Sequence, residues 1–159
     1  MPDCTNEKYV GKIVTVEYAI GCPDTIPASG DWKFIGSLRN KEITTEWDTI
    51  DATTDDSPGG ARENLVSYQN FSITVDGLNR QSDDATHNQN ALIDHITNPA
   101  ATGGQPYAWV RITDPARTRV APMIWTNATQ THAYDDVSTF SIEASLAPSA
   151  YGVQVTPTP

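Results

Sequence analysis

From Thr139 the stretch Val137-Ser138-Thr139-Phe140-Ser141-Ile142-Glu143-Ala144-Ser145-Leu146 alternates polar and apolar side chains without interruption. Successive side chains of a strand point to opposite faces, so Phe140, Ile142, Ala144 and Leu146 face a core while Thr139, Ser141, Glu143 and Ser145 face water. A sheet buried on one side is therefore the unit from which the rest of the chain is read.

Working outward, residues 107–113 form a second strand, with Ala108, Val110 and Ile112 facing one way and Trp109 and Arg111 the other. Residues 119–126 are apolar on both phases and contain Pro122, which has no N–H for a ladder, so they read as an edge or bulged strand. In residues 65–76, Val66 and Tyr68 lie on even positions and Phe71, Ile73 and Val75 on odd ones, a slip of phase that predicts a bulge near Gln69 or Asn70. Residues 10–20 alternate through Val14, Val16, Tyr18 and Ile20, and residues 32–35 and 42–46 read as a hairpin.

One helix is expected over 82–97. Ser82 can cap it, Asp83 and Asp84 suit its positive end, and Ala85, Gln89, Leu92, Ile93 and Ile96 make an apolar stripe that Asn98-Pro99 ends. Six or seven strands with one helix give a mainly β fold, a sandwich or small barrel with a flanking α-helix. The body spans 10–146, between an N-terminal arm at 1–9 and a C-terminal tail at 147–159 that does not fold on itself. Residues 47–62 carry no periodicity and are too polar to bury, so they project as a loop, and a loop that long in a compact domain has a use.

The charge balance narrows that use. Ten Lys and Arg face twenty Asp and Glu, a formal charge of −10, which repels nucleic acid rather than gripping it. No run of about 18 apolar residues and no signal-like N-terminus occur, so a soluble protein made in the cytoplasm is expected. Cys4 and Cys22 have no zinc or redox spacing, and His87, His95 and His132 are scattered away from any nucleophile. Asp48, Asp51, Asp55 and Asp56 lack the closing Glu of a calcium loop and read as a solvated loop or an inter-subunit surface. No enzyme motif, cofactor or metal site is expected.

Four blocks bear a resemblance. Trp32-Lys33-Phe34-Ile35-Gly36 leads through Ile50-Asp51-Ala52-Thr53-Thr54-Asp55-Asp56-Ser57-Pro58-Gly59-Gly60 to Phe71-Ser72-Ile73-Thr74-Val75-Asp76-Gly77, and Asp135-Asp136-Val137-Ser138-Thr139-Phe140-Ser141-Ile142 follows late. In this order they resemble the major tail protein (tail tube) family of siphophages over roughly residues 10–146; Cys22-Pro23 and Pro58 depart from the pattern. The resemblance implies a structural virion protein forming stacked hexameric rings around the tape measure protein and later around phage DNA. Tail terminator and distal tail proteins would be its other partners, and assembly would take place in the host cytoplasm. Six copies would carry about −60, some of it in the bore. Glu17, Glu46, Asp76 and Glu143 are the expected lumen-facing acids, and Trp47, Asp51, Asp55, Asp56 and Arg62 the expected inter-ring loop, with arm and tail as further grips that order on assembly.

Two other readings compete. A tube protein of a secretion or contractile injection system shares the architecture. A carbohydrate-binding module would instead use Trp32, Trp47, Trp109 and Trp125 as exposed stacking platforms, whereas Trp more often anchors a core or an interface.

Overall fold

The computed structural model describes residues 8–158. Its strands are β1 (Thr15–Ile20), β2 (Lys33–Phe34), β3 (Leu38–Asp51), β4 (Asn64–Leu78), β5 (Tyr107–Thr113), β6 (Arg117–Thr131), β7 (Thr139–Leu146) and β8 (Gln154–Pro157), and its helix α1 is Gln89–Thr97. All pairings are antiparallel, in the order β2-β1-β5-β6-β7-β4-β3, with β8 added to β6. The fold is mainly β with one flanking helix, as the alternation predicts.

The sheet is rolled. β2 and β3 stand at opposite ends of the strand order, yet only residues 35–37 separate them in the chain. Four peptide steps reach about 14 Å, whereas the ends of a flat seven-stranded sheet would lie about 29 Å apart. The sheet therefore curls until its ends meet at a seam. There the Ile35 N–H donates to the Val16 carbonyl at 3.2 Å and the Leu78 N–H to the Ser37 carbonyl at 3.1 Å, with Ile35 fully buried. Residues 32–35 and 42–46 are consequently not a hairpin. Gly36 and Ser37 sit at φ 75° and 53°, a left-handed pair that carries the chain across the seam, so β2 pairs with β1 and β3 with β4.

Inside the roll, Val16 and Tyr18, Val110 and Ile112, Met123 and Trp125, Phe140 and Ile142, and Phe71, Ile73 and Val75 form one core, against which α1 lays Leu92 and Ile93. Burying each large apolar side chain is worth about 1.5–3 kcal/mol, so this core dominates the fold's stability. The β1–β5 region is covered on its other face too. Trp109 is buried there and donates its indole N–H to the Cys22 carbonyl at 3.0 Å, while the Tyr151 ring packs 6.0 Å away.

Pro122 lies in a central strand, contrary to the edge expectation. β8 pairs with β6 as far as Val120 and β7 pairs with it from Met123, so both lie on the side of β6 opposite β5, with Pro122 in the gap. Its carbonyl accepts from Ala147 on that side, which places the missing N–H where no ladder acceptor stands. The expected bulge in β6 is present, between Trp125 and Asn127, and it restores the core phase through Ala128.

Three boundaries differ from expectation. α1 begins at Gln89 rather than at residue 82, because Asp84 ties residues 84–87 into a turn by accepting the Thr86 and His87 N–H groups, both at 2.9 Å. Asp83, not Ser82, then serves the helix start, its carboxylate accepting the Asn90 and Ala91 N–H groups at 3.1 and 2.9 Å. The C-terminal tail is part of the body: Ser149 Oγ donates to the Pro23 carbonyl at 2.7 Å, β8 extends the sheet, and Thr158 Oγ1 donates to the Asp114 carbonyl at 2.8 Å. The projecting loop is 52–63, since β3 continues to Asp51. The β4 register shift falls opposite Trp47 and Thr49, nearer Ser67 and Tyr68 than Gln69 or Asn70. Of the N-terminal arm, residues 1–7, Cys4 included, lie outside the described residues.

Candidate assembly surfaces

Register puts one large polar face together. Thr74 on β4 stands opposite Glu42 on β3 and Glu143 on β7, Asp76 stands opposite Asn40 and Ser141, and Glu46 opposite Asn70. Glu143 in turn faces Asn127 on β6, and Ser141 faces Thr129. These positions alternate with the buried Phe71, Ile73, Val75, Phe140 and Ile142, so they share the outer face of β3-β4-β7-β6. Every side chain named on this face is polar, and four are carboxylates. Three of the expected lumen acids, Glu46, Asp76 and Glu143, are thus brought onto one surface, and Glu42 joins them. The signal for Glu42 was available in the sequence, since it shares parity with Glu46 on one strand.

Glu17 is elsewhere. It is buried on β1 opposite Arg111 of β5, whose guanidinium binds both carboxylate oxygens, Nη2 to Oε2 at 2.5 Å and Nε to Oε1 at 3.3 Å. The same guanidinium lies 4.7 Å from the centroid of the Trp32 ring. A carboxylate neutralised in contact contributes little field at a distance, so Glu17 is a structural pair member.

The second surface is an arm. β4 pairs with β7 only from Ser72 to Leu78, so the outer half of the β3–β4 hairpin extends past the sheet as a two-stranded ribbon. It is unusually apolar for its exposure: Trp47, Ile50, Leu65, Val66 and Tyr68 are each between 48% and 76% accessible. The outer edge of β3, the last strand of the path, pairs with no other strand among the described residues. Such an edge is a template for pairing with a second chain.

At the tip, residues 52–63 are shaped by their own hydrogen bonds. Ala52 N–H donates to the Glu63 carbonyl at 2.8 Å, Thr54 N–H to Ser57 Oγ at 3.0 Å, and Glu63 N–H to Thr53 Oγ1 at 2.9 Å. The Thr53 hydroxyl and then its N–H hold the Asp51 carboxyl below its ordinary value, and the Thr54 hydroxyl does the same for Asp56. Arg62 stands 3.9 Å from Asp51, Asp48 accepts from Asn70, and Asp55 is exposed. The acids are thus shared out among separate partners, and no group of three or more His, Cys, Asp or Glu converges on a cation site among the described residues.

The histidines and tryptophans are accounted for locally. His95 is buried and donates Nε2–H to the Tyr107 carbonyl, His87 sits in the Asp84 turn, and His132 contacts Ser138. Trp109 and Trp125 are core residues and Trp32 is half-buried against Arg111; Trp47 alone of the four is exposed. A sugar-stacking platform built from these rings is therefore not formed. No helix among the described residues is long and apolar enough to cross a membrane.

An acidic outer face, an apolar ribbon and an open edge are features of a protein built to assemble. No family model matches the sequence, and no curated protein does. Solved structures do. The chain is similar to a subunit in the tail of an empty gene transfer agent (GTA) particle with C6 symmetry, at 19% identity and TM-score 0.67 over 96% of this chain and 100% of that one. It is similar to the SPP1 tail tube protein, at 13% identity and TM-score 0.64 over 95% and 80%, and to a chain of the anti-feeding prophage baseplate, at 10% and 0.60 over 96% and 97%. The chain has the tail tube fold.

Proposed function

We propose that this protein is the structural subunit of a bacteriophage tail tube, a non-enzymatic virion component that stacks as rings into a hollow conduit for DNA. The observation that carries this reading is the polar outer face of β3-β4-β7-β6, with Glu42, Glu46, Asp76 and Glu143 on one side of a sheet whose other side is core. Turned toward a bore, it offers passing phosphates hydroxyls, amides and like charges, with Arg39 beside Asp76 outnumbered by the four carboxylates, so DNA slides rather than being gripped. Screening confines that repulsion to about 8 Å at physiological salt, so placement on the bore matters more than net charge.

Six-fold rings fit the C6 tail to which the chain is similar. In this scheme the ribbon and tip, with Trp47, Asp51, Asp55, Asp56 and Arg62, join successive rings, and the open β3 edge serves a neighbour within the ring. Heterologous head-to-tail contacts of this kind close into rings or continue as helices, depending on the rotation. A tape measure protein would fill the bore during assembly, and terminator and distal tail proteins would cap the ends. A cryo-EM reconstruction of assembled tubes tests the orientation: Glu42, Asp76 and Glu143 are expected on the bore, and the outer face of β1–β5 there would overturn it. A tube of a contractile injection system is the second reading, favoured by the likeness to the anti-feeding prophage baseplate. Tubes that require a sheath protein to form would support it.

A further inference from the structure

Two grooves, of about 340 and 380 Å³, adjoin at the seam and share Lys12, Val14, Leu38 and Lys41, and the second adds Arg39 and Ile43. Their floor is apolar and Lys12, Arg39 and Lys41 make the rim cationic, the one acid of the lining, Asp114, being paired with Arg119, on a chain whose formal charge is −10. Four of the other five arginines are already held, Arg62 near Asp51, Arg80 by Asp84, Arg111 by Glu17 and Arg119 by Asp114, and Arg117 lies outside the grooves. Among the described residues, no ion pair holds Lys12 or Arg39. Both are exposed.

The complementary surface is on the same strand. β3 starts in the groove at Leu38 and ends in the arm at Asp51, where residues 51–63 carry Asp51, Asp55, Asp56 and Glu63 against a single basic residue, Arg62. Thirteen residue steps of strand place the two surfaces about 40 Å apart. They cannot meet within one chain. They can meet between copies that follow one another along the β3 direction, and a contact between different patches of identical chains is head-to-tail.

We propose that the seam groove around Lys12 and Arg39 receives the acidic arm tip of a second copy of this chain. The apolar floor at Val14, Leu38 and Ile43 would take the flanking apolar side chains of the ribbon, and the cationic rim would take its carboxylates. This rests on the tail tube reading and specifies which surface the arm engages.

Charge exchange tests it. One variant carries Lys12→Glu and Arg39→Glu, leaving Lys41 in place because its Nζ donates to the Gly11 carbonyl. The other carries Asp55→Lys and Glu63→Lys, sparing Asp51 and Asp56, which build the loop. Each alone repels itself, so pelletable tubes should fall at least tenfold below wild type under the same salt. Mixed in equal amounts, each tip meets an opposite groove and tubes should return as an alternating polymer, which also proves that both variants fold. Tubes at wild-type yield from either variant alone, or no recovery in the mixture, would overturn the proposal while leaving the tail tube reading intact. A wild-type chain that never forms tubes would defeat that reading and this contact with it.

Discussion

The carbonyl oxygen of Ser37 occupies the place where a side chain on Gly77 would begin: a Cβ at Gly77 would stand 2.1 Å from it. That oxygen also accepts the Leu78 N–H at 3.1 Å, so the seam that closes the rolled sheet depends on the absence of one carbon. Gly77→Ala should cost ~3 kcal/mol or more, the upper range of overpacking, because the obstruction is backbone rather than a side chain that can turn away. Denaturant unfolding measures it. A change below ~1 kcal/mol would mean that the seam is not where the sheet closes.

Arg111 and Glu17 make a test of the β1–β5 face. Removing only the arginine leaves a carboxylate that is 8% accessible without its partner, so Arg111→Ala should destabilise by ~3 kcal/mol. The double change Glu17→Gln with Arg111→Met removes the charge and refills the volume, and should cost much less. Equal losses in the single and double variants would show that packing on Trp32, not the ion pair, is what matters.

The turn before α1 gives a pH dependence. The Thr86 N–H and then the His87 ring hold the Asp84 carboxyl down at about 2, against an ordinary 3.8. A group with a depressed folded pKa contributes stability above its unfolded pKa and loses it as pH falls through the folded one. Wild type should therefore lose stability between about pH 4 and pH 2 more steeply than Asp84→Asn, as followed by urea midpoints. Parallel slopes would contradict the role given to this carboxylate.

Much of the fold was legible in the sequence because alternation is a local signal. Phe140, Ile142 and Ala144, and Phe71, Ile73 and Val75, are buried as their parity requires, and the phase slip in β4 is a real bulge placed a residue or two away. Pairing partners were less legible, since nothing local says that Phe34 and Leu38 stand at opposite ends of the strand order. Glu17 shows the same limit at the candidate site: its parity is that of a surface strand position, and only the long-range pairing with Arg111, below the loop carrying Trp32, explains its burial. The C-terminal tail carries no local folding signal because its partner, the start of β6, is distant in sequence.

The ribbon separates folding from assembly. Ile50 and Leu65 face each other across it, 57% and 62% accessible, beyond the edge of β7. Ile50→Lys with Leu65→Glu, an opposite-charge cross-strand pair, should change stability by less than ~1 kcal/mol, since exposed positions tolerate charge, while abolishing tubes. Deleting 51–60 should likewise leave a folded monomer. Normal tubes from either variant would remove the ribbon from the inter-ring contact.

Negative-stain electron microscopy of the purified wild-type chain over a concentration series tests the central claim most directly. Hollow tubes or six-fold rings that lengthen with concentration are the predicted result. Monomers at every concentration, alone and with a tape measure protein, would contradict it.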